Sequence, residues 1–375
     1  MIATLKDSAF PTSQRNDAEA LEFYQQLKAA FKAAAQTSVS ATPTDVSTEA
    51  PIQDYMVGGF RLRLRFGSAK LIPKMTPAIA HLAVPLADTP PDFTVHLWDT
   101  VSTGVSVPSP PWQDDPYAYG SHGEVGCYSR DRVRIVFNLF VEALSILNVQ
   151  QNEAIFWVRD VDNIPFWETA APLRILLHWW LGSHQLKYIH AAVVGTQTAG
   201  AMLVGKGGSG KSTTALSCLQ SPLTYVSDDY CLLSVQDEPL AYSLYSSAKL
   251  KPDNTLLPEL QPLIHNTDRK PDEKPYLLLH EHFPEKLVSS LPVRVILLPR
   301  VTGEEETSVQ VASGAAALLA LAPSTLFQLP GGSSNAFQEM AALVKALPCY
   351  WLDLGTDLQQ IPSVIADVIE RHCYE

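Results

Sequence analysis

The sequence is short of positive charge. Its 27 Lys and Arg are outnumbered by 39 Asp and Glu, a formal net charge of −12 over 375 residues, and no basic cluster stands out. Such a chain has no electrostatic footprint for a phosphate backbone or an anionic lipid surface, which argues against nucleic-acid and membrane partners. Cysteine is scarce as well: Cys127, Cys218, Cys231, Cys349 and Cys373 are odd in number, scattered, and never spaced C-x-x-C. That argues against a disulfide framework or a thiolate zinc site and fits a reducing, cytoplasmic setting. Uncharged apolar runs stop short of a membrane span, and Met1–Phe10 has no apolar centre, so neither a spanning helix nor a signal peptide is expected. No internal repeat is found. Core material is plentiful, since 46% of residues are hydrophobic. The length allows one domain and suits two better.

The stretch Ala201–Asp229 reads AMLVGKGGSGKSTTALSCLQSPLTYVSDD. At its centre Gly205, Lys206, Gly207, Gly208, Ser209, Gly210, Lys211 and Ser212 fit G-x-x-x-x-G-K-[ST] at every fixed position. Glycines let backbone N–H groups close around a phosphate with no Cβ in the way. Lys211 would set a point charge between the outer phosphates, and Ser212 would offer a hydroxyl to Mg²⁺. An apolar strand, Ala201–Val204, precedes the loop, and from Thr213 the residues suit a helix whose N-terminal dipole faces the same anion. The stretch is read as a site for a nucleoside triphosphate.

Lys187–Gly195 (KYIHAAVVG) is a second apolar strand, joined to the loop's strand by only Thr196–Ala199. A connection that short permits a hairpin but not a parallel crossover. With the turn centred on Gln197–Thr198, cross-strand partners sum to 395 and His190 falls opposite Gly205. A lone histidine in an apolar strand is ordinarily a core residue. Beside a phosphate loop it is read as part of the site, next to a metal or a phosphate. After the loop, Leu223–Asp229 (LTYVSDD) is a buried strand ending in two carboxylates. One acidic residue at such a strand end suffices to hold Mg²⁺. The second makes sense as a base that takes the proton of an attacking hydroxyl.

His190, the loop and the pair Asp228–Asp229 together resemble the catalytic core of the HPr serine kinase/phosphorylase family, which is related in architecture to phosphoenolpyruvate carboxykinases. The spacing agrees: the histidine stands 21 residues before Lys211, and the pair begins 17 residues after it. The resemblance runs from about Trp167 to the C-terminus. It implies that Lys211 and Ser212 bind phosphate and Mg²⁺, that His190 and the pair flank the transfer point, and that Asp228 is the general base and Asp229 the metal-associated carboxylate. The chain departs from the family in having no Arg-Gly dipeptide and an unlike N-terminal half. Both point away from HPr as acceptor and from a phosphorylase back-reaction. The nearer resemblance is to HPr-kinase-like proteins found beside peptide-modification genes, including those that phosphorylate a serine of lasso-type precursor peptides.

Elsewhere the chain reads as scaffold. Leu21, Tyr24, Leu27 and Phe31 mark an amphipathic helix over Asp17–Ala35, and Thr37–Asp54 reads as a linker. Phe60–Phe66 alternates strictly and aligns Arg61, Arg63 and Arg65 on one face, a solvated row that could also meet an acidic peptide. Further strands are expected at Phe93–Asp99, Arg132–Phe140 and Ala154–Arg159. A helix is expected over Ala171–Gly182, with Trp179 and Trp180 as core residues. Beyond the aspartates, Ala241–Lys251 alternates and ends in Lys249 and Lys251. Pro252–Lys274 is a long loop of the sort that forms lids. Lys274 and Arg300, the latter closing the buried strand Val293–Arg300, are candidate phosphate contacts. Helices at Gly314–Ala322, Asn335–Leu347 and Ile361–His372 and a strand at Cys349–Leu354 complete the chain.

The expected architecture is α/β (α+β overall): residues 1–54 a helix and linker, 55–165 an α+β accessory domain, and 166–375 a P-loop kinase domain with a mixed sheet and flanking helices. The expected activity is transfer of phosphate from ATP, with Mg²⁺, to a hydroxyl of a peptide or protein, serine first, by a protein that could self-associate. A small-molecule kinase or carboxykinase, or a nucleotide-binding switch without transfer, are the alternatives.

Overall fold

The computed structural model describes residues 13–40, 50–115, 118–129, 131–234, 238–251, 256–326, 329–330 and 336–373. The chain forms two compact units. One gathers residues 1–52, 64–71 and 93–163, the other residues 53–63, 72–92 and 164–375. Both contain mixed sheets with helices against them. Among the described residues no helix is long and apolar enough to cross a membrane.

Strands β1 (Ile52–Val57) and β2 (Phe60–Phe66) are joined at Gly58 and Gly59, both at positive φ, and β1 pairs antiparallel with the short β3 (Ala83–Val84). The arginine row of β2 is not a free peptide-binding face. Arg63 binds both oxygens of Asp54 at 2.8 and 2.9 Å, and Arg61 reaches the same carboxylate at 3.1 Å. Their remaining donors go to the carbonyls of Ala87 and Pro85. The Asp54 side chain is wholly buried. Burial pushes its proton affinity up, but Arg63, the Ala87 N–H and Arg61 hold the carboxyl below its ordinary range. Only Arg65 of the three is exposed.

In the first unit, β4 (Phe93–Asp99) runs parallel to β7 (Glu153–Val158), β6 (Ala143–Asn148) runs antiparallel to β7, and β5 (Val133–Asn138) antiparallel to β6. The N-terminal helix spans Ser13–Ser40, longer than its apolar stripe predicts and well into the expected linker. It lays Phe23, Tyr24, Leu27 and Phe31 on Trp98, Ile135, Ile146 and Trp157. Lys28 and Tyr24 both reach Glu153 on β7.

The second unit's main sheet mixes antiparallel and parallel pairs. Strand β8 (Leu186–Ile189) pairs with β12 (Cys231–Ser234), while β9 (Ala192–Gly195) lies between β10 (Gly200–Leu203) and β11 (Thr224–Ser227). The predicted single strand Lys187–Gly195 is therefore two, parted at His190 and Ala191, because its halves answer to different neighbours. The expected register holds: Gly200 faces Gly195 and Leu203 faces Ala192. Beyond β13 (Leu240–Tyr242) the chain leaves the sheet for a two-stranded ribbon of β14 (Ser247–Lys249) and β15 (Tyr276–Leu278).

The twelve residues of β16 (Ser290–Val301) tie the sheet together. They pair in turn with β13, with β10 and with β18 (Cys349–Leu354), which β17 (Ser308–Val311) also flanks. A strand with neighbours on both sides and helices on both faces is apolar where it is covered, as Val295–Leu298 is, while Arg294 nearer its start pairs with Glu238. Helix Ile361–Arg371 and helix Lys211–Ser217 cover one face, burying Ile365, Ile369 and Ala215 with Leu203 and Leu297. Helices Gly314–Leu326 and Ala336–Ala346 cover the other, where Leu321 and Leu343 meet Met202 and Ile296. Trp179 and Trp180 on helix Arg174–Gly182 are core residues, with the Trp179 indole donating to the Pro330 carbonyl at 2.7 Å.

Candidate active site

The sheet brings three chemical elements to one edge by direction alone. Strands β10 and β11 are both antiparallel to β9 and so run the same way. Their C-terminal ends, carrying the glycine loop and the Asp pair, emerge on the side where β9 begins, just after His190. The loop turns through Gly208 and Gly210, at φ 83° and 107°, into helix Lys211–Ser217. Lys206, Gly207 and Gly208 face outward, whereas Lys211 is buried. Its ammonium donates to the loop's own carbonyls, Gly205 O at 2.5 Å and Lys206 O at 3.4 Å. Burial lowers its proton affinity, Asp228 and Asp229 raise it, and Lys274 lowers it again, the net shift being downward. Lys274 thus stands within charge range of Lys211. Ser209 Oγ is buried without a hydrogen-bond partner.

The two aspartates are adjacent in sequence but unlike in setting. Asp229 is gripped on both oxygens: His190 Nε2 meets Oδ1 at 2.8 Å, and the Lys249 ammonium meets Oδ2. Burial alone would favour its neutral form, but Lys249 and His190 overcome this and hold the carboxyl far below the ordinary range. Asp228 is 2% exposed. Its Oδ2 accepts the Lys249 backbone N–H at 3.1 Å, and its Oδ1 has no partner. Burial and then the Asp229 charge push its proton affinity up to about 6, against the nearby Ser212 hydroxyl and the Lys249 N–H. One carboxylate is thus a fixed anion, and the other is poised to exchange a proton near neutral pH.

Lys249 is the residue that sequence reasoning passed over. It ends an alternating run, and nothing local says that β14 carries it back to Asp229. A layer behind it was also unforeseen. Tyr230 places its ring 5.2 Å from that of His190 and 5.7 Å from the Lys249 ammonium, and Arg174 and Glu168 lie beneath with Tyr188 and Tyr245. Arg300 does not reach this edge as a free cation. It forms a two-point ion pair with Asp353 and stacks on Trp351 at 4.8 Å.

The donor set fits Mg²⁺. Among the described residues no group of three or more His, Cys, Asp and Glu could enclose a metal. Mg²⁺ does not require one, since it keeps waters and binds through one or two carboxylates plus substrate phosphates. A buried carboxylate oxygen without a partner, a second ionised carboxylate and a serine hydroxyl are the groups that this ion takes.

No family model and no curated protein matches the chain. Among solved structures, the Hpr(Ser) kinase/phosphatase from Coxiella burnetii aligns with it at 11% identity and a TM-score of 0.29, covering 50% of this chain and 90% of that one. A likeness that shallow says nothing about activity.

Proposed function

We propose that this protein is a phosphotransferase: an ATP-dependent kinase that phosphorylates a hydroxyl, serine by preference, of a peptide or protein. The observation that carries the reading is the unequal pair Asp228 and Asp229, set at the sheet edge from which the glycine loop emerges. A protein that only held a nucleotide would have no use for a second carboxylate tuned to trade protons.

In this reading the Gly205–Ser212 loop and Thr213 cradle the triphosphate through backbone N–H groups. Lys211 leaves its loop carbonyls for the outer phosphates. Asp228 takes the proton of the acceptor hydroxyl as its oxygen bonds to the γ-phosphorus and the bond from that phosphorus to ADP breaks. Asp229 stays ionised throughout, and His190 fixes its direction. Ser212 and Asp229 would hold Mg²⁺, which when bound supplies charge neutralisation at the phosphates. A serine that turns its proton toward Asp228 keeps its lone pairs for a cation. Transfer of this kind needs placement and charge more than covalent help, so these few groups suffice.

The test is ADP release with ATP and Mg²⁺, alone and with serine-bearing peptides, HPr or small hydroxyl compounds, read with mass spectrometry of the acceptor. A phosphate adduct on peptide serine, lost in Lys211→Ala, supports the reading. Turnover on small compounds alone would make this a small-molecule kinase. ATP binding without transfer to any acceptor would make it a nucleotide switch.

A further inference from the structure

Lys249 contacts both aspartates, by two different routes. Its backbone N–H serves Asp228 Oδ2, and its side chain serves Asp229 Oδ2. It is delivered by the β14–β15 ribbon, where it pairs with Tyr276. Asp229 already has His190 on its other oxygen, so both of its oxygens are engaged. A divalent cation that comes to Asp229 meets a cation already on the Oδ2 side, and the two positive charges compete for the same carboxylate. The ammonium is the one that can go. It hangs on a flexible four-carbon stem, whereas the imidazole is fixed beside the Tyr230 ring at the start of β9.

We infer that Lys249 is an exchangeable counter-cation, holding Asp229 until the metal arrives and then turning its ammonium to the outer phosphates of the nucleotide. This rests on the kinase reading for its second half only. Before exchange the four groups Lys211, Lys249, Asp228 and Asp229 carry two charges of each sign. After exchange Mg²⁺ satisfies Asp229, and the released Lys249 joins Lys211 opposite the anionic phosphates. A cation parked on the carboxylate also keeps an ionised buried group from standing unpaired, a costly state.

Because the bond to Asp228 comes from the backbone, side-chain substitution leaves that carboxylate's contact in place. The test is Mn²⁺ binding to the nucleotide-free protein by electron paramagnetic resonance, for wild type, Lys249→Met and Lys249→Arg, with kcat and KM for ATP measured beside it. Removing the competing ammonium should tighten Mn²⁺ at least fivefold in Lys249→Met, and Lys249→Arg should return it to near the wild-type value. In the kinase assay Lys249→Met should lose tenfold or more in kcat. If Lys249→Met melts too early to assay, Lys249→Gln, which can still donate to Asp229, replaces it. Unchanged or weaker Mn²⁺ binding in the neutral variants overturns the inference. Tighter Mn²⁺ binding in a protein that phosphorylates nothing upholds the exchange and overturns the kinase reading instead.

Discussion

A Cβ placed on Gly210 would stand 2.5 Å from Leu354 Cδ1, with Val301 and Pro299 behind it. Gly210 also sits at φ 107°, where side chains are strained. The last turn of the phosphate loop is thus seated against the ends of β16 and β18. Gly210→Ala should cost about 1–3 kcal/mol and weaken ATP binding at least tenfold, by thermal melting and titration calorimetry. Gly207→Ala, which meets nothing within 4 Å, is the control and should keep its stability. Equal behaviour of the two variants would count against this seating.

The raised proton affinity of Asp228 sets a pH dependence. A base must be deprotonated to act, so kcat/KM should rise with pH through about 6 and level off above it. Asp228→Asn should lose a factor on the order of 10²–10⁴ in transfer while keeping MgATP binding. Asp229→Asn should raise the Mg²⁺ concentration needed. Full activity in Asp228→Asn, with transfer lost only in Asp229→Asn, would exchange their roles.

Arg63 belongs to the fold. Arg63→Ser removes the two-point partner of a wholly buried Asp54 carboxylate. Leaving such a charge underpaired costs about 3 kcal/mol, readable as a drop in urea midpoint. Arg65→Ser, on the exposed position, should be neutral within about 0.5 kcal/mol. A stable Arg63→Ser variant with weakened peptide affinity would restore the row as a recognition surface.

One buried and one partly buried histidine set a limit in acid. Burial holds His96 in the first unit and His81 in the second at about 4, His81 also under the charge of His280. Unfolded, each takes its proton near 6.5. Between those values the unfolded chain binds more protons, so stability falls as pH drops from 6.5 toward 4. His96 is 6% exposed, with both ring nitrogens unpartnered. It should contribute on the order of 3 kcal/mol to that loss, and partly exposed His81 less. His96→Leu should flatten the decline measured in urea at pH 7 and pH 5, and an unchanged slope would refute this.

What the sequence discloses here depends on how far the partners lie along the chain. Strands Phe93–Asp99 and Cys349–Leu354 match their expected limits because Asp92 and Asp99 bound the first and Pro348 and Gly355 the second. The β9–β10 register follows from a four-residue connection. The aspartates are likewise fixed by a local signal, a buried strand that runs into two charges. Lys249 is not legible, since only the return of β14 across the intervening strands joins it to Asp229, 20 residues back. Asp54 had a signal that was available: a turn centred on Gly58–Gly59 sets position 54 against 63. Arg300 lies one residue before the end of β16, but its partner Asp353 lies on β18, beyond two helices, and no periodicity predicts that pairing.

Strand β16 also governs when the protein can first work. As the chain is made, β10 and its glycine loop emerge with β9 beside them, but the strand that closes their other flank follows roughly 90 residues later. At ordinary translation rates that is a wait of about 5–20 s. Throughout it, one edge of β10 has no strand to bond, and Gly210 has neither Pro299 nor Leu354 to rest on. The nascent glycine loop is therefore born open-sided, and it gains its lateral support only once the last quarter of the chain has threaded in alongside it.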